Sequence, residues 1–152
     1  MAYVSLVRSS LEYASPIWDP QTAVLKKELE SIQNRAIRWI FGKSPRERVS
    51  ITGLRRDLSW HTLEQRRYHS RLCLFYKIVH GEVVVTVSDV GMEPVDSERK
   101  QANHNLMFKH RKGGSRSGTV ARTIPAWNKL DQKLVEASSL DIFKSGLDAL
   151  CP

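Results

Sequence analysis

Apolar positions along the chain recur at helical spacing over most of its length. In the first segment, Ala2 to about Ala14, Leu6, Val7 and Leu11 fall on one face, and the helix is expected to stop before Pro16. Asp19-Pro20 reads as the next helix start, with Asp19 capping free N–H groups and Pro20 where its missing N–H costs nothing. From there Leu25, Leu29, Ile32, Ala36 and Ile40 step by threes and fours to about Phe41, and Gly42 supplies a left-handed stop. A short helix is expected over Arg46–Leu54, weakened by Gly53. Thr62 with Gln65 three residues on forms a capping box. Behind it Tyr68, Leu72, Phe75, Tyr76 and Val79 form one face that Leu74 and Ile78 broaden, so the second half of this helix should be buried nearly all round. His80-Gly81 ends it.

The pattern then changes. Glu82–Val90 is β-branched and reads as a strand or an extended loop, and Leu106–Phe108 and Val120–Ile124 as short strands paired across a Gly/Ser-rich loop, KHRKGGSRSG (109–118). After Pro125, Trp127 and Leu130 look like core anchors, as do Trp18, Trp39 and Trp60. Ser138 or Ser139 caps a last helix with Leu140, Phe143, Leu147 and Leu150 on one face. The fold expected is therefore mainly α: a small helical domain of four to five helices with a short β-hairpin or extended segment within 82–124. It is organised as a helical region 1–81, a charged linker 82–122 and a helical segment 123–152, one domain overall.

Charge changes this picture. The 152 residues carry a net +8 and a pI near 9.8, and the excess is blocked: residues 82–98 hold five acids and no base, residues 99–122 seven bases and no acid. Such blocks draw polyanions, because each phosphate neutralised releases condensed counterions. The candidate nucleic-acid contacts are Arg35 and Arg38 on one helix face, Arg66, Arg67 and Arg71 on the next strong helix, and Lys109, Arg111, Lys112 and Arg116 in the basic loop, with Tyr68, His69 and His104 available for stacking. Each cluster reads equally well as a solvated face flanking a core stripe.

Templates for catalysis fail. Polymerases and two-metal nucleases need at least two carboxylates converging on metals about 4 Å apart, and the aspartates here include no adjacent pair. The five histidines and two cysteines form no metal-binding spacing, no glycine motif cradles a phosphate and no nucleophile elbow appears. The expectation is a chain that is not an enzyme and uses no cofactor or small-molecule ligand. No stretch reaches the ~20 apolar residues of a membrane span, and the N-terminal stretch, interrupted by Arg8 and Glu12, does not read as a signal peptide. Cys73 lies inside an apolar run and reads as a buried thiol, which favours an intracellular setting, cytoplasmic or nuclear.

Three stretches then matter together. LVRSSLEYASPIWDPQT (6–22), continuing into LESIQNRAIRWI (29–40), resembles the segment that follows the polymerase core in LINE-type (non-LTR) retrotransposon reverse transcriptases. WHTLEQRRYHSRLCLFYKIVHG (60–81) is similar to the next block of that family, and RTIPAWNKL (122–130) with SLDIFKSGL (139–147) resembles its closing block. Order and spacing agree over most of the chain apart from residues 82–105. The resemblance implies a fragment of a mobile-element RNA-directed DNA polymerase, from the thumb and C-terminal part. The catalytic aspartates of polymerase and endonuclease, and the Mg site the parent would use, would lie upstream and be absent here, and Met1 would be an internal methionine of the parent. The implied partner is RNA or a DNA–RNA hybrid, gripped through phosphates without base readout. The alternatives are a protein-interaction module that docks on the missing polymerase core, or a non-functional truncated transposon product.

Overall fold

The structure is a computed structural model that describes residues 2–96, 103–112 and 118–150. It is mainly helical with one two-stranded antiparallel hairpin, and contacts divide it into two compact units, Met1–Arg67 and Tyr68–Pro152.

In the first unit a π-helical segment, Tyr3–Arg8, runs into α1 (Ser9–Glu12). Ala14 then adopts a left-handed conformation (φ 50°) and a short α2 (Ser15–Trp18) follows, with Pro16 in its first turn where no N–H is needed. Asp19 therefore ends a helix and caps none: its carboxylate is buried and bonded elsewhere, while Thr22 caps α3 (Ala23–Ile40) by accepting from Leu25 N at 3.4 Å. Gly42, at φ 62°, closes α3 as its sequence position suggests. The short helix expected over Arg46–Leu54 lies further on, as α4 (Ile51–Asp57), because Ser50 supplies the cap, accepting from Gly53 N at 3.2 Å.

The buried face of α3 is not the one the apolar stripe suggested. Gln33 and Ile37 are its fully buried residues, whereas Leu25 is 49% exposed and Leu29, Ile32, Ala36 and Ile40 are only half-buried. A polar chain explains why an amide can sit inside. The Tyr3 hydroxyl donates to Gln33 Oε1 at 3.2 Å and Gln33 Nε2 donates to the His61 carbonyl at 2.9 Å, so the buried amide is satisfied at both ends. Tyr3 also stacks on Trp60, with centroids 5.2 Å apart. Burial pushes the Tyr3 phenol up to about 12, since its charged form would be desolvated; Arg8 pulls the other way and does not offset this. Below pH 10 the phenol is neutral folded or unfolded. Between pH 10 and 12 the unfolded chain loses the proton first, so stability falls as pH rises through that window. Tyr3→Phe is expected to flatten this part of an alkaline unfolding profile followed by circular dichroism; an unchanged profile would contradict the assignment.

The helix α5 (Leu63–Val79) begins on the expected box: Gln65 N donates to Thr62 Oγ1 at 3.0 Å and Thr62 N to Gln65 Oε1 at 2.9 Å. The boundary between units falls within it. In the second unit Leu72, Phe75, Tyr76 and Ile78 enter a continuous apolar cluster with Met92, Phe108, Ile124, Trp127, Val135, Phe143 and Leu147. Gly81 (φ 69°) turns the chain out of α5.

Glu82–Val90 forms no strand. The Asp89 carboxylate accepts from Thr86 N (2.9 Å) and Thr86 Oγ1 (2.7 Å), a turn that β-branched composition does not announce, and those bonds hold its carboxyl below the usual range. The hairpin pairs β1 (Met92–Pro94) with β2 (Phe108–His110), Met92 opposite His110. Val120–Ile124 is helical, within α6 (Thr119–Trp127), because Ala121, Thr123, Ile124 and Trp127 bury one helical face there. Asn128 clamps β2 against the end of α6: its Oδ1 accepts from Phe108 N at 3.0 Å and its Nδ2 donates to Phe108 O at 2.8 Å. After α7 (Gln132–Val135), Ser139 caps α8 (Leu140–Leu150), accepting from Ile142 N at 3.3 Å. Gly146 lets α8 lie directly on Leu134, where any Cβ would collide.

Candidate nucleic-acid interface

A cation can grip phosphate only where it is exposed and not committed to a carboxylate of its own chain. By that criterion the nine candidate residues separate. Arg67 is 2% exposed, and its Nε donates to Asp19 Oδ1 at 3.0 Å. Arg66 is half-buried and bidentate on Glu12, through Nε to Oε1 and Nη2 to Oε2 (2.8 Å). These two arginines bind the N-terminal helical segment to the start of α5 and present no free fork to a polymer. Spacing on a helix could not reveal this, because both acids lie about fifty residues upstream.

Arg38 is also structural. Its Nη1 donates to the carbonyls of Ser44 (3.1 Å) and Glu47 (2.9 Å), shaping the turn after α3. That turn, KSPRER (43–48), exposes Arg46 and Arg48, while Lys43 pairs with Glu47 at 2.8 Å. Arg46 and Arg48 were missed in the sequence, where the stretch read as the start of a helix; the signal available was three basic residues flanking a proline. Arg35 is exposed on α3.

In the second unit Arg71 is half-buried with its guanidinium over the Tyr68 ring, 5.8 Å from the centroid, and His69 Nδ1 lies 3.1 Å from Asp148. Both rings are therefore engaged within the unit. His104 is buried: its Nε2 donates to the Trp127 carbonyl at 3.0 Å and its ring meets the indole edge-on, so it is a core residue and no stacking platform. Lys109, Arg111 and Lys112 are exposed on and beyond β2. Lys109 lies 3.5 Å from Asp96 and Arg111 3.7 Å from Glu93, contacts at exposed side chains that a polyanion can displace. Arg116 lies outside the described residues.

Trp18 and Trp39 are not core anchors. Trp18 is partly out, its indole N–H donating to the Tyr13 carbonyl, and Trp39 is 78% exposed. For chemistry the site offers little. The Cys73 thiol is partly buried, and that burial pushes it up against the pull of Lys144 and Lys77, the reverse of an activated nucleophile. Among the described residues no three His, Cys, Asp or Glu side chains are placed to hold a metal, and no helix is long and apolar enough to cross a membrane. No family model, curated protein or solved structure matches the chain.

Proposed function

We propose that the chain is the thumb-to-C-terminal part of a LINE-type reverse transcriptase and that it binds RNA or a DNA–RNA hybrid through phosphates, without base readout and without catalysis. The observation that carries this reading is the ordered run of three sequence blocks, 6–22 with 29–40, 60–81, and 122–130 with 139–147, each resembling the same family. The exposed cations support the physical half of it: Arg46 and Arg48 on the turn after α3, and Lys109, Arg111 and Lys112 on the hairpin. Side chains of this kind give an affinity set by the number of phosphates neutralised, not by sequence.

The test is a titration of the full chain against single-stranded RNA and a DNA–RNA hybrid at low and at physiological salt. Affinity is expected to fall steeply between the two, with a logarithmic slope of about −0.7 per phosphate contacted on single-stranded RNA. Reversing Arg46 and Arg48 together, or Lys109 and Arg111 together, should flatten that slope. Binding that is independent of salt would overturn the reading.

A further inference from the structure

The half-buried to exposed stripe of α3 carries more than its exposure. Leu25, Leu29, Ile32, Ala36 and Trp39 follow each other at intervals of four, three, four and three, the repeat that two packed helices share. The neighbouring side of the helix, with Gln33 and Ile37, is already inside the unit. At the N-terminal end of the stripe Trp18, Pro20, Leu25, Leu29 and Ile32 line a groove of about 500 Å³. At the other end Trp39 stands out into solvent. Glu28 and Arg35 flank the stripe along one edge, seven residues apart and of opposite sign; both are exposed.

We propose that this face pairs with a second copy of the chain, its α3 antiparallel to the first. A two-fold interface must be self-complementary, every contact occurring twice, and this surface is so in three respects. With the helices antiparallel, Leu25 meets Ala36 and Leu29 meets Ile32 of the second copy, large against small and large against large. In that register Glu28 faces Arg35 of the second copy and Arg35 its Glu28, so both charges are matched on both sides. Trp39 comes opposite Thr22 of the second copy, at the end of the groove that Trp18 and Pro20 form. The exposed indole and the groove answer each other only in this orientation; parallel helices would set Trp39 against Trp39, with neither indole meeting a groove. An apolar stripe of this kind is also a poor surface for phosphate, so Arg35 serves the second copy and the nucleic-acid reading stands on other cations.

One helix pair with its flanking groove lies near the lower limit of specific interfaces, about 1,200 Å² in total, so association in the micromolar range is expected. Sedimentation equilibrium of the full chain without nucleic acid should show the mass rising with concentration from 17.4 kDa to twice that value. Glu28→Arg and Arg35→Glu should each weaken association about tenfold by setting like charges opposite each other, and the double variant should restore it. Trp39→Ala should weaken it without rescue. All three positions are exposed, so these variants fold. A mass that stays at 17.4 kDa, leaving the face to some other protein, would overturn the proposal. So would single charge variants that associate normally, or a double variant as weak as the singles.

Discussion

Arg67→Met is expected to lower the unfolding free energy of the first unit by about 3–5 kcal/mol, one of the two largest single-residue effects in the chain. The cause is the carboxylate left behind. Asp19 and Arg67 are both almost fully buried, and a 3.0 Å bond joins Arg67 Nε to Asp19 Oδ1. A buried carboxylate that loses its cation cannot recover its hydration, so removing Arg67 leaves Asp19 with a desolvation cost no longer offset by the opposite charge. The pair itself contributes little net stability, because Arg67 Nη2 is buried without a hydrogen bond and the guanidinium is incompletely satisfied. Asp19→Leu combined with Arg67→Met should therefore regain most of the loss. Urea unfolding followed by tryptophan fluorescence would read this out, Trp18, Trp39 and Trp60 all lying in the first unit. A single variant as stable as the native chain would overturn this account. The result bears on function as well: charge reversal at Arg66 and Arg67 would weaken RNA binding by unfolding the unit, not by removing a contact.

How far the sequence could be read depended on how local each determinant is. The Thr62–Gln65 box and the turns at Gly42 and Gly81 are set by neighbours within a few residues, and they stand where the sequence puts them. The helical core face of α5 was legible because its period is dense enough to leave no second solution. Asp19 was misread because Asp-Pro is a good local cap signal, yet an arginine 48 positions away takes the carboxylate. The stripe on α3 failed differently. Periodicity shows that one face is apolar; it does not say what covers that face, and here the chain buries the neighbouring Gln33–Ile37 side through a hydrogen-bonded amide. Val120–Ile124 has strand-like composition but takes a helix because its partner is the aromatic core and not another strand. Of the candidate site, residue types were legible and availability was not: equal charges at Arg67 and Arg46 are separated only by folding.

The four tryptophans make the same point energetically, and the largest effect in the second unit follows from it. Trp127 is 0% exposed, its ring centroid 4.8 Å from Phe75 and 5.9 Å from Phe143, and its indole N–H donates to the Leu106 carbonyl at 2.8 Å. Trp127→Ala removes that contact area, opens a cavity among rigid rings and strands the Leu106 carbonyl, so a loss of about 3–5 kcal/mol is expected. Trp127→Phe keeps most of the ring and loses only the donor, which should cost about 1–3 kcal/mol. Trp39→Ala, at an exposed position, should stay within about 0.5 kcal/mol in dilute protein. The Leu106 bond and the Asn128 clamp on Phe108 hold β2 to α6. Trp127→Ala should therefore also speed amide exchange at Phe108 and reduce RNA affinity, by loosening the strand that carries Lys109. Chemical unfolding monitored by circular dichroism, together with exchange at Phe108, checks both halves. If the alanine variant matched the phenylalanine one, the indole would not be the centre of this core, and the presentation of Lys109, Arg111 and Lys112 would need another anchor.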